Sequence, residues 1–219
     1  MKGIQAIFFD FDGVILESVS VKGWAFGKLF ERYTEQVDEI VTFHYANGGV
    51  SRFDKFRYIY KNILKKELSA VELERLCESF SNLVYKRVLE CNFVPGTKAF
   101  LDKYYKPISF YIISGTPHEE IVKIVDAKGL SRYFKGVFGS PTGKSEWTKK
   151  IICDNHFDQK RVVFVGDALS DYEAATENGV HFVARIANDN GKLFDGVGIK
   201  YFLSDLILLN EKIGQIGGN

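Results

Sequence analysis

The sequence predicts an α/β fold, a doubly wound parallel sheet with an all-helical insertion after its first strand. Three observations support this prediction. Short, nearly continuous apolar runs recur along the chain, as expected of parallel strands covered on both faces. Helical patterns lie between the later runs, and this alternation is typical of a Rossmann-like core. A long stretch after the first run has helical patterns but no apolar strand run.

Four runs are the predicted strands, and they cover residues 4–9, 108–113, 162–165 and 181–184. Helix-type spacing of apolar residues predicts helices over 119–128, 144–154 and 171–178. Gly129 and Gly179 follow two of these segments at the position where a glycine commonly ends a helix. Strands and helices therefore alternate through the second half of the chain.

The stretch of residues 17–91, called the helical insertion below, carries amphipathic patterns such as Phe26, Leu29 and Phe30. Pro95 and Gly96 predict a turn back into the sheet. We therefore assign residues 1–16 and 92–219 to the α/β core and expect residues 217–219 to be frayed.

Composition limits the function classes. The chain has 219 residues, 46% hydrophobic and 26% charged, which is typical of a folded globular protein. A net charge of +1 gives no general attraction to nucleic acid or an anionic membrane. The three cysteines lack disulfide-type or metal-type spacing, and the first apolar run is too short for a signal peptide or a membrane span. We predict a cytoplasmic monomer or homodimer, and expect its four histidines to be structural or surface residues.

Polar residues follow the predicted strands, where open α/β sheets bind their ligands. They are Asp10 and Asp12 after the first strand, Ser114 and Gly115 after the second, and Asp167 and Asp171 after the third, with Lys144 in between. Converging carboxylates repel one another unless a divalent cation neutralises them, and oxygen ligands suit Mg²⁺. The sequence therefore predicts a magnesium site at this edge of the sheet.

The same residues suit phosphoryl transfer. Asp10 could act as a nucleophile that forms an aspartyl-phosphate, which divides one displacement into two easier ones. Asp12 could protonate the leaving oxygen and later deprotonate the attacking water. Ser114, the backbone amides around Gly115, and Lys144 would bind the phosphoryl group and offset its charge.

Asp10-Phe11-Asp12-Gly13, Ser114, Lys144 and Gly166-Asp167 with Asp171 resemble the four ordered motifs of haloacid dehalogenase-like (HAD) phosphatases. The helical insertion resembles the type-1 cap of that superfamily, and the first motif resembles the branch of phosphoglycolate phosphatases and β-phosphoglucomutases. The resemblance implies that Asp10 is nucleophile and Mg²⁺ ligand, that Asp12 is acid/base with its carbonyl on the metal, and that Asp167 is a ligand. It also implies that Asp171 is a Mg²⁺ ligand or contacts one of the Mg²⁺ ligands.

Two positions depart from the pattern of that branch. Glu17 stands where the branch commonly has Asp. Lys144 lies between Gly143 and Ser145 and therefore lacks the Lys-Pro pair that is usual around this lysine in the branch. Both departures concern the subfamily and the substrate, because each leaves the charged catalytic groups in place.

In the helical insertion, Gly48 and Gly49 interrupt the helical pattern, and this break is either a simple turn or a loop over the active site. By analogy with type-1 caps, Asn47, Arg52 and Lys55 are candidate substrate contacts. Arg and Lys there could bind a second anionic group.

We therefore predict a Mg²⁺-dependent phosphohydrolase that acts on a small phosphorylated metabolite. One alternative is a sugar phosphomutase with the same site. Another is a non-enzymatic phospho-receiver or metal-binding regulatory domain, although such a domain needs no long helical insertion.

Overall fold

The computed structural model describes residues 3–216, without the side chains of residues 188–190, so the tail predicted to be frayed lies outside the described residues. The part described contains one six-stranded parallel sheet with strand order β3-β2-β1-β4-β5-β6. Its strands are β1 (Ala6–Phe9), β2 (Ser109–Pro117), β3 (Gly136–Ser140), β4 (Val162–Gly166), β5 (His181–Arg185) and β6 (Phe202–Leu203). The α/β fold class is confirmed.

The four predicted strands are the middle of this sheet. β1 pairs with β2 through Ala6 and Ser109 and with β4 through Ala6 and Val162, and all four residues of β1 are buried. A strand covered on both faces must be apolar throughout, which explains why these runs are visible in the sequence.

The two edge strands were not predicted from the sequence. β3 contains only two large apolar residues, Val137 and Phe138, and β6 is two residues long. Each edge strand has a single neighbour in the sheet, so a long apolar run is not required there.

The described residues form nine α-helices: α1 (Val19–Leu29), α2 (Val37–Ala46), α3 (Arg52–Tyr58), α4 (Ala70–Glu90), α5 (Thr97–Tyr104), α6 (His118–Ala127), α7 (Lys144–Asn155), α8 (Leu169–Glu177) and α9 (Leu209–Ile216). The helices predicted over 119–128, 144–154 and 171–178 are α6, α7 and α8. Helices α1 to α4 and a π-helical turn, Ile59–Ile63, make up the helical insertion. None of the helices within residues 3–216 combines the length and the apolar composition needed to cross a bilayer.

Aromatic residues fill the centre of the helical insertion. The ring of Phe26 lies 5.5 Å from that of Phe56 and 4.9 Å from that of Phe80, measured between centroids. All three side chains are buried, and they belong to the same hydrophobic cluster as Ile7 and Phe9 of the sheet. The insertion therefore packs onto the core through continuous apolar contact, which fixes the position of its polar side chains.

The chain enters and leaves the helical insertion at adjacent points. The amide of Glu17 donates to the carbonyl of Asn92 at 3.0 Å, and Leu16 forms an antiparallel bridge with Phe93. Gly96, with φ of 86°, makes the predicted turn before α5. The division into residues 1–16 with 92–219 and residues 17–91 stays a prediction.

Candidate active site

Three carboxylates lie at the carboxyl ends of β1 and β4. These strands are neighbours, and the amide of Asp10 donates to the carbonyl of Val165 at 2.9 Å. One oxygen from each of Asp10, Asp167 and Asp171 lies within 4.8 Å of the others. The parallel pairing of two strands far apart in sequence therefore builds the predicted acidic cluster.

Asp10 is 3% exposed, and its two carboxylate oxygens differ in their hydrogen-bond partners. Oδ2 lies 3.1 Å from Nζ of Lys144, whereas Oδ1 accepts no hydrogen bond from any residue that the structure describes. Burial raises the pKa of Asp10 to about 7, with Asp171 and Asp12 adding to the rise and Lys144 opposing it. A buried acceptor without a donor costs free energy, so Oδ1 is suited to a cation or a phosphorus atom.

Lys144 begins α7 and is held by a second carboxylate. Its Nζ lies 2.6 Å from Oδ1 of Asp171, while Oδ2 of Asp171 accepts from the amides of Asp167 at 3.2 Å and Ala168 at 3.1 Å. Both oxygens of Asp171 thus have donors already. Although burial lowers the pKa of Lys144, Asp10 and Asp171 raise it above the ordinary value, so the side chain is an ammonium.

Gly13 makes room for Asp167. Its φ is 78°, and a Cβ there would lie 2.0 Å from Oδ2 of Asp167. Burial, followed by Asp10 and Asp171, raises the pKa of Asp167 well above its ordinary value. The cluster is therefore short of positive charge, which is the condition that a divalent cation relieves.

Asp12 points away from the cluster toward α1. Its Oδ1 accepts from the hydroxyl of Ser18 at 2.6 Å, and its Oδ2 accepts from Lys22 and, at 3.1 Å, from the hydroxyl of Thr116. Although burial raises the pKa of Asp12, Lys22 and these hydrogen bonds lower it below its ordinary range. Lys22 and Thr116 were missed in the sequence analysis. The spacing of Ser18 and Lys22 places both on one helical face, and this pattern could have predicted that the two side chains act together.

Ser114 and Gly115 lie within β2 rather than after it, which corrects the predicted strand end. Ser114 is buried, and its Oγ accepts from the amide of Thr116 at 3.1 Å. A Cβ on Gly115 would lie 2.2 Å from the carbonyl oxygen of Gly49, so the two backbones meet here. The hydroxyl of Ser170 donates to the carbonyl of Gly48 at 3.1 Å. The Gly48-Gly49 break is therefore a loop that covers the edge of the sheet.

The three candidate contacts of the helical insertion lie in different settings. Asn47 donates its amide to the carbonyl of Phe43 in its own helix at 2.9 Å. Arg52 is buried and forms two hydrogen bonds with Glu120 of α6, at 2.6 and 3.0 Å. Lys55 is also buried, and its Nζ lies 3.1 Å from Nδ1 and 3.2 Å from the carbonyl oxygen of His44.

Another ion pair missed in the sequence analysis joins the helical insertion to β5. Arg185 forms two hydrogen bonds with Glu17, at 2.9 and 2.7 Å, and donates to the carbonyl of Gly13 at 2.8 Å. Glu17 is the residue that departs from the family pattern, and its longer side chain here reaches an arginine at the end of a core strand.

These groups surround a central cavity of about 780 Å³ between the sheet edge and the helical insertion. Asp10, Asp12, Asp167, Gly115 and Thr116 line it on the core side. Lys22, Phe26, His44, Arg52, Lys55 and Phe80 line it on the other side. A cavity of this size, with polar groups converging at one end, has the form of a small-molecule site.

The family model of the haloacid dehalogenase-like hydrolases matches residues 4–179. The chain belongs to this family. A phosphoglycolate phosphatase of Sulfolobus acidocaldarius is 27% identical over 188 residues, covering 84% of this chain and 78% of that protein. Together these two findings confirm the resemblance and the prediction of an enzyme of the HAD-like phosphatase type, and they do not support the non-enzymatic alternative.

Solved structures show the same fold. A β-phosphoglucomutase from Clostridium difficile has a TM-score of 0.76 at 20% identity, covering 98% of this chain and 97% of that one. The protein CbbY from Rhodobacter sphaeroides, in a crystal with xylulose-1,5-bisphosphate, has a TM-score of 0.73 at 15% identity, covering 93% of this chain and 95% of that one.

Proposed function

We propose that the protein is a Mg²⁺-dependent phosphohydrolase that removes the phosphoryl group of a small phosphomonoester through an aspartyl-phosphate on Asp10. The observation that supports this most directly is the asymmetry of Asp10. One oxygen is paired with Lys144 at 3.1 Å, while the other is buried without a donor among the described residues. A carboxylate held in this way is oriented for attack.

Mg²⁺ fits the donor set, which consists of carboxylate oxygens within 4.8 Å of one another. Asp10 and Asp167, with the backbone carbonyl of Asp12, would hold the ion, which would neutralise the carboxylates and draw charge from the phosphoryl oxygens. Both oxygens of Asp171 are occupied by Lys144 and two amides, so we assign Asp171 the role of positioning Lys144.

In the first step, an oxygen of Asp10 attacks phosphorus and the bond from phosphorus to the substrate oxygen breaks. Asp12 gives its proton to the substrate oxygen. In the second step, water attacks the phosphorus of the aspartyl-phosphate, Asp12 takes the proton, and the bond to Asp10 breaks. Ser114, the Gly115 amide and Lys144 bind the phosphoryl oxygens throughout.

Asp12 must be protonated for the first step and ionised for the second. Its contacts with Lys22, Ser18 and Thr116 favour the ionised form in the present arrangement. Because Lys22 and Ser18 belong to the helical insertion and its entry, movement of that insertion would change the proton affinity of Asp12. Opening of the insertion during product release and substrate binding therefore fits the two demands on this side chain.

The enclosed cavity supports a small phosphorylated metabolite, such as a phosphorylated sugar or sugar acid, as the substrate. The S. acidocaldarius relative makes phosphoglycolate a candidate to test. Nucleic acid and membranes are not proposed as partners, and the cytoplasmic location and the monomeric or homodimeric state stay predictions.

The test is phosphate release by the purified protein with Mg²⁺ from sugar phosphates, phosphoglycolate, nucleotides and p-nitrophenyl phosphate. Asp10→Asn should abolish release, whereas Asp154→Asn, which alters an exposed aspartate paired with Lys150, should leave it unchanged. Turnover of a phosphopeptide above that of every small phosphate would contradict the proposed substrate class. Conversion of a sugar phosphate into its isomer without phosphate release would show the mutase instead.

A further inference from the structure

Arg185 lies beside the acidic cluster, although it belongs to none of the four motifs. It is the last residue of β5, which pairs in parallel with β4. Gly166 of β4 is opposite Ala184 of β5, so Asp167 and Arg185 come next along two neighbouring strands. The side chain of Arg185 is buried at the same edge of the sheet as the carboxylates.

The guanidinium of Arg185 joins three partners. Nε donates to the carbonyl of Ser204 at 3.0 Å, and one terminal nitrogen donates to the carbonyl of Gly13 at 2.8 Å. The two terminal nitrogens also bind the two carboxylate oxygens of Glu17, at 2.9 and 2.7 Å. Because a guanidinium is planar and its donors are fixed relative to one another, these contacts hold Gly13 and Glu17 in one position relative to β5.

Gly13 and Glu17 are the two ends of a short loop, residues 13–17, that follows the first motif. The amide of Gly13 donates to the carbonyl of Leu16 at 2.8 Å. The amides of residues 14, 15 and 16 all donate to the carbonyl of Phe11, at 3.3, 2.9 and 3.1 Å. The loop is therefore a compact unit, and Arg185 fixes it at both ends.

This loop adjoins two of the proposed Mg²⁺ ligands. Gly13 follows Asp12, whose backbone carbonyl is one of them. Gly13 also limits the space of Asp167, because a Cβ on Gly13 would lie 2.0 Å from Oδ2 and 2.7 Å from Cγ of Asp167. A displacement of the Gly13 backbone would therefore shift the carbonyl of Asp12 and the surface against which the carboxylate of Asp167 packs.

We propose that Arg185 is a positioning residue for Mg²⁺: by holding Gly13 and Glu17, it keeps the carbonyl of Asp12 and the carboxylate of Asp167 directed at one point. This inference rests on the Mg²⁺ site of the proposed function, and it gives Arg185 no contact with the ion. Side chains that orient metal ligands typically change metal affinity by about ten- to a hundredfold when they are removed.

A different ion pair supplies the matched control. Arg52 and Glu120 also join the helical insertion to the core in a buried setting. Within the described residues, neither side chain has a hydrogen bond to the 13–17 loop. Glu120→Gln therefore breaks a link between insertion and core and leaves the loop fixed, so it shows what the loss of stability alone does to Mg²⁺ binding.

The experiment is calorimetric titration of Mg²⁺ into the purified protein without substrate, with urea unfolding to show that each variant is folded. Arg185→Met should raise the Kd for Mg²⁺ about tenfold or more. Glu17→Ala should raise it about threefold, because Gly13 keeps its bond to Arg185. Glu120→Gln should leave it within about twofold, as expected for an independent site.

Phosphate release at increasing Mg²⁺ is the second measurement. Arg185→Met should need about tenfold more Mg²⁺ for half of its maximal rate, while KM for the ester at saturating Mg²⁺ stays within about threefold. A raised KM with an unchanged Kd for Mg²⁺ would make Arg185, which also lines the cavity, a substrate contact and would overturn the inference.

An unchanged Kd for Mg²⁺ in both Arg185→Met and Glu17→Ala overturns the inference as well. If Arg185→Met does not fold, Glu17→Ala decides, because the side chain of Glu17 is 42% exposed and its loss is easily tolerated. An unaltered protein that binds Mg²⁺ but releases no phosphate refutes the phosphohydrolase, and calorimetry still decides the role of Arg185. An unaltered protein that binds no Mg²⁺ refutes both.

Discussion

Lys55→Met should stabilise the protein at neutral and acidic pH, although it removes a buried side chain that makes two hydrogen bonds. The pKa of Lys55 falls from its ordinary 10.5 to about 7 in the folded protein. At about 1.4 kcal/mol for each pH unit, that difference of 3.5 is a destabilisation of about 5 kcal/mol. Losing the two hydrogen bonds to His44 costs about 2 kcal/mol. We therefore expect the variant to be about 3 kcal/mol more stable near pH 6.

The pH dependence gives the sharper test. Between pH 7 and 10.5 the unfolded chain binds the proton of Lys55 more tightly than the folded one, so deprotonation relieves the destabilisation as the pH rises. The stability advantage of Lys55→Met should therefore shrink by about 3 kcal/mol between about pH 6 and about pH 9.5. The groups facing Lys55 are His44, Lys22, Lys144, Asp12 and Asp10, and all of them remain in the variant.

The assay is urea unfolding followed by tryptophan fluorescence at several pH values, with Lys61→Met, which removes an exposed lysine of the helical insertion, as control. A variant that is less stable than the unaltered protein at pH 6, with a constant difference at higher pH, would refute the reasoning. Lys55 would then be a stabilising cation at the C-terminal end of α2, bound to the carbonyl of His44.

Three further outcomes follow from the site. Chelation with EDTA should abolish phosphate release, and added Mg²⁺ should restore it; activity that survives chelation would contradict the metal role of Asp10 and Asp167. Gly115→Ala should lower kcat/KM about a hundredfold or more, because its Cβ would lie 2.2 Å from the carbonyl of Gly49; a change below threefold would show that the loop moves freely. Glu120→Gln should lower the free energy of unfolding by about 3 kcal/mol, because it leaves Arg52 buried without a counter-charge; unchanged urea unfolding would contradict this.

The sequence predicts the central strands and the acidic cluster well for a physical reason. A parallel strand covered on both faces must be apolar, and the polar residue that follows it must lie at the ligand-binding edge. Asp10 and Asp167 could therefore be assigned to one site from their positions after two strands, before the strands were known to be neighbours. The edge strands lacked this constraint, and β3, with Val137 and Phe138, shows no such run.

The ion pairs between the helical insertion and the core could not be predicted in the same way. Arg52 meets Glu120, and Glu17 meets Arg185, across separations of 68 and 168 residues. Such contacts depend on the orientation of the insertion, which is set by packing around Phe26 rather than by a local pattern. The sequence alone therefore could not show that Arg52 is paired with a carboxylate, whereas Lys55 contacts a histidine. The substrate contacts of both residues stay predictions.

The adjacent entry and exit of the helical insertion have an architectural consequence. Because the amide of Glu17 already touches the carbonyl of Asn92, the sheet presents a pair of chain ends that a short turn could join. The sheet and its acidic edge are therefore insensitive to the length of the segment between those ends. Evolution, or a protein engineer, could exchange that segment and so change which molecules reach the acidic edge, while Asp10, Lys144, Asp167 and Asp171 stay in the core.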